Sequence, residues 1–190
     1  KEEAQVALRA AAESFLTWKR TPVIERARIL KRAARILEGR LEQVARDLAL
    51  EVGKPIFEAR AEVRRAAEIL DYYAAYAWLP QGSLLASVRA ETDLRARRVP
   101  LGVVALITPW NFPIAIPTWK LAPALLVGNT VVLKPSSLGP AGAIHLVQAL
   151  ADAGLPAGVV NLVIGPGTPF AQALQEAPEL RAVSFTGSAG

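Results

Sequence analysis

The chain has 190 residues, is 52% hydrophobic, carries a net charge of +5 and contains no cysteine. Its length allows a core for one or two domains, and the missing cysteine excludes disulfides, thiolate metal sites and cysteine catalysis within these residues. Of its 22 basic and 17 acidic side chains, 19 and 14 fall in residues 1–100, where they alternate along helical faces without interleaved aromatics, so they read as a solvated helical surface and no nucleic-acid partner is expected.

The chain opens on Lys1, Glu2 and Glu3 and continues as a charged amphipathic pattern. That start lacks the apolar region and small-residue cleavage site of a signal peptide, so the expected compartment is the cytoplasm. Thr21 is placed to cap a helix with Pro22 in its first turn, an apolar face of Val23, Ala27, Leu30, Ala34 and Leu37, and Gly39 as its stop. Leu41, Val44, Leu48 and Val52 continue the period before Gly53 and Pro55, and Ile56, Ala59, Val63, Ala66, Leu70, Tyr73 and Ala77 form a third stripe. Alternating steps of three and four also fit a coiled-coil seam, but the stripe is short and holds small alanines, which favours a packed surface helix. Several antiparallel helices are therefore expected. Over residues 84–99 the pattern loosens into a predicted hairpin, Leu94, Ala96 and Arg98 alternating against Arg95, Arg97 and Val99 beside a polar turn near residues 91–93.

After Pro100 short apolar strands at residues 103–107, 130–133, 159–164 and 182–185 are separated by helical stretches near 116–126, 141–153 and 169–176. Strands that are apolar throughout and joined by crossover helices predict an α/β fold with a parallel sheet covered on both faces. Ligands bind such sheets beyond the carboxyl ends of the strands. Pro123, Gly128 and Asn129 interrupt the most hydrophobic stretch, so no membrane span is expected. The single histidine, His145, sits in an Ala/Leu-rich helical pattern without a carboxylate or second histidine close by in sequence, which reads as a structural role. No metal site is expected.

Residues 107–137 read ITPWNFPIAIPTWKLAPALLVGNTVVLKPSS. They couple a strand, a Trp-Asn pair bracketed by prolines, a helix, and a second strand ending in Lys-Pro. This resembles the cofactor-binding signature of the aldehyde dehydrogenase superfamily. The likeness runs over nearly the whole chain, most specifically residues 100–190, and corresponds to the N-terminal part of such an enzyme. It implies a Rossmann-like sheet in residues 101–190, an NAD(P)-binding region cut short at its C-terminal end. Residues 1–100 would form helices and a β-hairpin packing on it.

The resemblance carries site residues with it. Asn111, fixed between Pro109 and Pro113, would be the side-chain half of an oxyanion hole, a donor of the kind that contributes about 3 kcal/mol; read alone it is an Asx-turn residue. Ile107, Thr108, Pro109 and Trp110 would line the cofactor, although a Trp after a core strand also reads as packing. Lys120 would lie near the cofactor, or simply be an exposed helix residue. Lys134 would bind the adenosine ribose hydroxyls. Many NAD-preferring members place a glutamate three residues later, where this chain has Ser137. A carboxylate would repel a 2′-phosphate, whereas Ser136 and Ser137 can donate to it beside Lys134, so NADP is expected over NAD. Alternatively, or in addition, Ser137 caps the helix entered through Gly139 and Pro140. Gly165 and Gly167 match the Gly-rich turn under the adenine but not a full dinucleotide fingerprint, since Phe170 occupies its third glycine position. Phe185, Thr186, Gly187 and Ser188 match the segment leading to the pyrophosphate-facing helix.

In the family a cysteine thiolate attacks the aldehyde through a thiohemiacetal, hydride passes to the nicotinamide, and a glutamate-activated water completes oxidation to the acid. Neither that cysteine nor that glutamate is present, so the chain is expected to be inactive alone. The alternatives are a noncatalytic nucleotide-binding protein, a half completed by a partner chain carrying the catalytic domain, and a helical interaction module. Unpaired sheet edges predict a homo-oligomer.

Overall fold

Four helices come first in the computed structural model, which describes residues 1–79 and 82–188. They are α1 (Glu2–Trp18), α2 (Val23–Gly39), α3 (Leu41–Val52) and α4 (Ile56–Tyr76). The apolar periods place the buried faces: Ala4, Ala7, Leu8 and Ala11 in α1, and Leu30, Ala34 and Leu37 in α2. Thr21 does not cap α2. Pro22 is the cap residue with φ −54°, already fixed for helix entry, and the Thr21 hydroxyl turns back to the Thr17 carbonyl at 3.5 Å. Gly53, at φ 71°, closes α3 in the left-handed conformation that a Cβ would strain.

A hairpin follows, β1 (Gly82–Leu85) against β2 (Leu94–Arg97), antiparallel from Gly82 opposite Arg97 to Leu85 opposite Leu94. All its strand residues are exposed, so the alternation read from sequence marks no buried face. The remaining elements alternate: β3 (Val103–Ile107), α5 (Ala115–Leu126), β4 (Thr130–Lys134), α6 (Ala141–Asp152), β5 (Val160–Leu162), α7 (Gly167–Gln175) and β6 (Leu180–Phe185). The strands form one parallel sheet in the order β5-β4-β3-β6. Val104, Leu106, Val131 and Leu133 face α5 and α6, over which α2, α3 and α4 pack. Val103, Ala105 and Val132 face the other way, against α1 and the α7 residues Phe170 and Ala173.

Burial on both faces holds for β3 and β4. It does not hold for β6, an outer strand whose Val183 and Phe185 are 49% and 61% exposed. No helix among the described residues is long and apolar enough to cross a membrane.

The expectation of a solvated charged surface needs correction at several residues. No helix among the described residues has a side-chain hydrogen bond from its own N-cap residue. Charged side chains of the first half serve helix ends of the second instead. The Glu62 carboxylate accepts the Ile114 and Ala115 N–H groups at the start of α5 (3.0 and 3.1 Å), and Glu51 accepts Ala141 N–H at the start of α6 (3.0 Å). At the other ends Arg26 donates to the Leu126 carbonyl of α5 and Arg32 to the Ala153 carbonyl of α6, both at 2.8 Å. Negative groups meet helix N-termini and positive groups meet C-termini, as the peptide dipoles favour. His145 likewise has a carboxylate after all, since α3 brings Asp47 to 2.8 Å from its Nε2.

Candidate cofactor and oxyanion site

Three strands end level with one another. Ile107 at the end of β3 pairs with Lys134 of β4 on one side and Phe185 of β6 on the other. The chain runs outward from β3 through β4 to β5, then crosses back to place β6 on the far side of β3. The strand order therefore reverses beside β3, and crevices at such switch points hold ligands in open α/β sheets.

Thr108 follows at this edge, its N–H donating to the Lys134 carbonyl at 3.1 Å. Its hydroxyl is buried without a partner among the described residues, a state that costs about 1–3 kcal/mol unless something else supplies a hydrogen bond. Lys134 belongs to β4 itself, one residue beyond the strand read from sequence, and is 7% exposed rather than emerging into solvent. Its Nζ donates to the Pro135 carbonyl at 3.1 Å, and burial without a carboxylate partner pushes its pKa down. Lys120, half-buried on α5, donates to the Ser184 hydroxyl of β6 at 2.7 Å, and its pKa is also lowered by burial. The Thr186 N–H reaches the Ile107 carbonyl at 3.1 Å, carrying the ladder past the end of β6. Thr186, Gly187 and Ser188 are exposed, and a Cβ on Gly187 would lie 2.6 Å from the Phe185 ring.

Asn111 projects from the loop after β3. Its Oδ1 accepts the Phe112 N–H at 3.1 Å, a local bond that leaves the Nδ2 protons without a partner among the described residues. Beside it Pro109 is half-buried and Trp110 is 49% exposed. Sequence reasoning missed two residues here. Lys54 donates to the Asn111 carbonyl at 2.9 Å, forms an ion pair with the buried Glu62, and lies 5.0 Å from the centre of the Phe112 ring. Glu62 stands three residues after Ala59 and four before Ala66, on the apolar stripe of α4, and a carboxylate on a buried face was the signal available.

The loops after β4 and β5 are tied together by Ser137, whose hydroxyl donates to the Gly165 carbonyl at 2.9 Å. Ser137 does not cap α6, where Pro140 is the cap residue and Glu51 takes the first N–H. Ser136 Oγ accepts the Leu138 N–H at 3.2 Å, which leaves its proton available. No acidic residue follows Lys134 in sequence before Asp152. Gly167 is the first residue of α7 rather than part of a turn, while Gly165 has φ 151° and open space where a Cβ would stand. The carboxyl edge is an open shelf, and an apolar groove begins beside it, lined by Phe112, Ala115, Trp119 and Arg65 between α5 and α4.

The sequence profile of the aldehyde dehydrogenase family matches residues 1–190. The chain is 43% identical over 187 residues to the alpha-ketoglutaric semialdehyde dehydrogenase of Bacillus subtilis (strain 168), covering 98% of this chain and 38% of that protein. It is also 43% identical over 188 residues to the 2,5-dioxopentanoate dehydrogenase of Saccharolobus solfataricus, covering 99% and 39%. Among solved structures, an NAD-dependent aldehyde dehydrogenase from Sinorhizobium meliloti superposes with TM-score 0.94 at 38% identity, over 98% of this chain and 38% of that one. Betaine aldehyde dehydrogenase from Staphylococcus aureus, in complex with NAD+, gives 0.95 at 32% identity, over 99% and 38%. The chain thus spans about two fifths of the length of these relatives.

Proposed function

Since the chain belongs to the aldehyde dehydrogenase family, we propose that it forms the nicotinamide-nucleotide shelf and the oxyanion donor of an enzyme that oxidises an aldehyde to a carboxylic acid. On this reading residues 101–190 carry the cofactor edge and residues 1–100 pack on them. The observation that carries it is the level ending of β3, β4 and β6, which gathers Thr108, Asn111 and Lys134 at the switch point of the sheet.

The residues present fit a dinucleotide. Among the described residues Lys134 keeps a buried ammonium with no carboxylate to neutralise it and the Thr108 hydroxyl is buried without a bond, so both have capacity for ribose or phosphate oxygens. Ser136, Gly165 and Gly167 give the adenosine end a hydroxyl proton and open backbone. Trp110 and Pro109 offer an apolar flank. Thr186, Gly187 and Ser188 lie where the pyrophosphate would pass, and Lys120 stands beside them. A nicotinamide held there would supply the hydride acceptor for the oxidation. Asn111 donates from Nδ2 to the carbonyl oxygen as that oxygen gains negative charge, a contribution of about 3 kcal/mol to the barrier. The nucleophile and general base come from outside these residues, and the chain alone is inactive.

NADP is favoured over NAD because no carboxylate occupies position 137 to repel a 2′-phosphate, and the free proton is that of Ser136, Ser137 spending its own on Gly165. Calorimetric titration tests this. NADPH is expected to bind more tightly than NADH, and Lys134→Met to weaken both about tenfold or more; equal or reversed affinities overturn the preference, and a folded protein that binds neither overturns the cofactor reading. The exposed Val183 and Phe185 of β6, with Leu84, Val88 and Leu94 of the hairpin, support self-association, so a monomer in sedimentation at micromolar concentration counts against a homo-oligomer.

A further inference from the structure

We propose that Lys54 and Glu62 are positioning residues that together fix the Asn111 carboxamide at the carboxyl edge of the sheet. The inference rests on the reading of Asn111 as an oxyanion donor.

The pair spends its polar atoms on one short segment. Glu62 Oε1 accepts both Ile114 N–H and Ala115 N–H, at 3.0 and 3.1 Å, and Oε2 takes the Lys54 ammonium. That ammonium also donates to the Asn111 carbonyl at 2.9 Å and covers the Phe112 ring. The backbone is therefore gripped at Asn111 itself and again three and four residues later. The first turn of α6 also presses on the same segment, since a Cβ on Gly142 would lie 2.6 Å from the Pro113 carbonyl carbon and oxygen and 2.7 Å from the Ile114 nitrogen.

A buried ion pair is a weak source of stability, because the cost of removing both charges from water offsets their attraction. Apolar side chains could fill this space at no loss of packing, but they could hold none of the three backbone groups. The pair thus supplies geometry: with backbone fixed at both ends of the loop and Oδ1 held by the Phe112 N–H, the Nδ2 protons of Asn111 keep one direction. Catalytic donors contribute only when held within a fraction of an ångström of the developing charge.

The test is NMR on the 15N-labelled chain, free of cofactor. In Glu62→Leu, amide exchange at Ile114 and Ala115 is expected to accelerate about tenfold or more while Val132 and Leu133 in β4 stay protected, with the Asn111 side-chain amide becoming mobile by heteronuclear NOE. Glu62→Gln keeps the oxygen acceptor and should restore protection at Ile114 and Ala115. Lys54→Met should leave that protection in place yet still mobilise the Asn111 amide. If Glu62→Leu does not fold, Glu62→Gln and Lys54→Met decide the matter. An Asn111 amide as rigid in Lys54→Met as in the wild type overturns the proposal and leaves the pair a structural one. NADPH titration of the same samples separates the two readings, because wild-type protein that binds no cofactor while showing this NMR pattern overturns the functional reading and not the clamp.

Discussion

Replacing Gly142 with alanine sets two opposed effects against each other at the site loop. Inside a helix, glycine to alanine normally stabilises by roughly 0.5–1 kcal/mol, because alanine loses less backbone freedom on folding. Gly142 lies in the first turn of α6, so that gain applies. The new methyl, however, would stand 2.6 Å from two backbone atoms of Pro113, whereas ordinary contact begins at 3.4 Å, so the loop would have to recede by about 0.8 Å. It cannot do so freely, since Glu62 holds the Ile114 and Ala115 N–H groups. Overpacking against a fixed neighbour costs roughly 1–3 kcal/mol, which leaves a net loss between about zero and about 2.5 kcal/mol, about 1 kcal/mol at the middle of both ranges. For a chain of this size that middle value lowers Tm by roughly 2–4 °C in thermal unfolding. Gly39→Ala is the control, since nothing lies within 4 Å of its added methyl and it should be neutral or slightly stabilising. A Gly142→Ala protein stabilised as much as an unobstructed helical glycine-to-alanine change would refute a tight contact between α6 and a loop held by Glu62.

Leu133→Ala empties a fully buried position in β4 and should cost about 2–5 kcal/mol by urea denaturation, with the m-value unchanged. Arg26→Met should cost on the order of 3 kcal/mol, because it strands the Leu126, Trp18 and Thr21 carbonyls that the guanidinium serves, and unchanged stability would mean that these carbonyls find other donors. Lys120 and Lys134 bind their protons less tightly in the folded protein than in the unfolded chain. The unfolded chain therefore holds more protons between the two pKa values, so stability rises as pH climbs from the depressed folded value toward the ordinary lysine value of about 10.4. Urea denaturation across that window should show the rise in wild type and a flatter profile in a Lys120→Met, Lys134→Met double variant.

Local chemistry decided how much of this molecule could be read from its residues. β3 matches its expected bounds because all its residues are apolar, and β4 was read one residue short because Lys134 is charged yet buried. α7 starts at Gly167, where Gly-Pro-Gly reads as a turn, and α2 starts without Thr21 because Pro22 already fixes the entry. Ile107, Lys134 and Phe185 lie level at the carboxyl ends of their strands, since strand ends and register follow from the alternation of apolar runs and helices. What the sequence hid were contacts between distant segments. Glu62 lies 52 residues from Ile114, and Asp47 lies 98 from His145, so no window of local periodicity contains both partners.

Between α2–α4 and α5–α6 the buried side chains mix alanines, Ala33, Ala34, Ala45, Ala59, Ala66 and Ala67 among them, with large residues such as Leu30, Leu37, Leu48 and Leu70. Where methyl groups meet, the surface has little relief, and one offset of a helix past another is favoured there only weakly over its neighbours. The charged residues at the helix ends add a second constraint on that offset. Sliding a helix by one turn, about 5.4 Å, would part the carboxylates from the N–H groups and the guanidinium groups from the carbonyls they serve. Shape makes this layer adhere, and the sign of the charge at each helix end tells it where to stop.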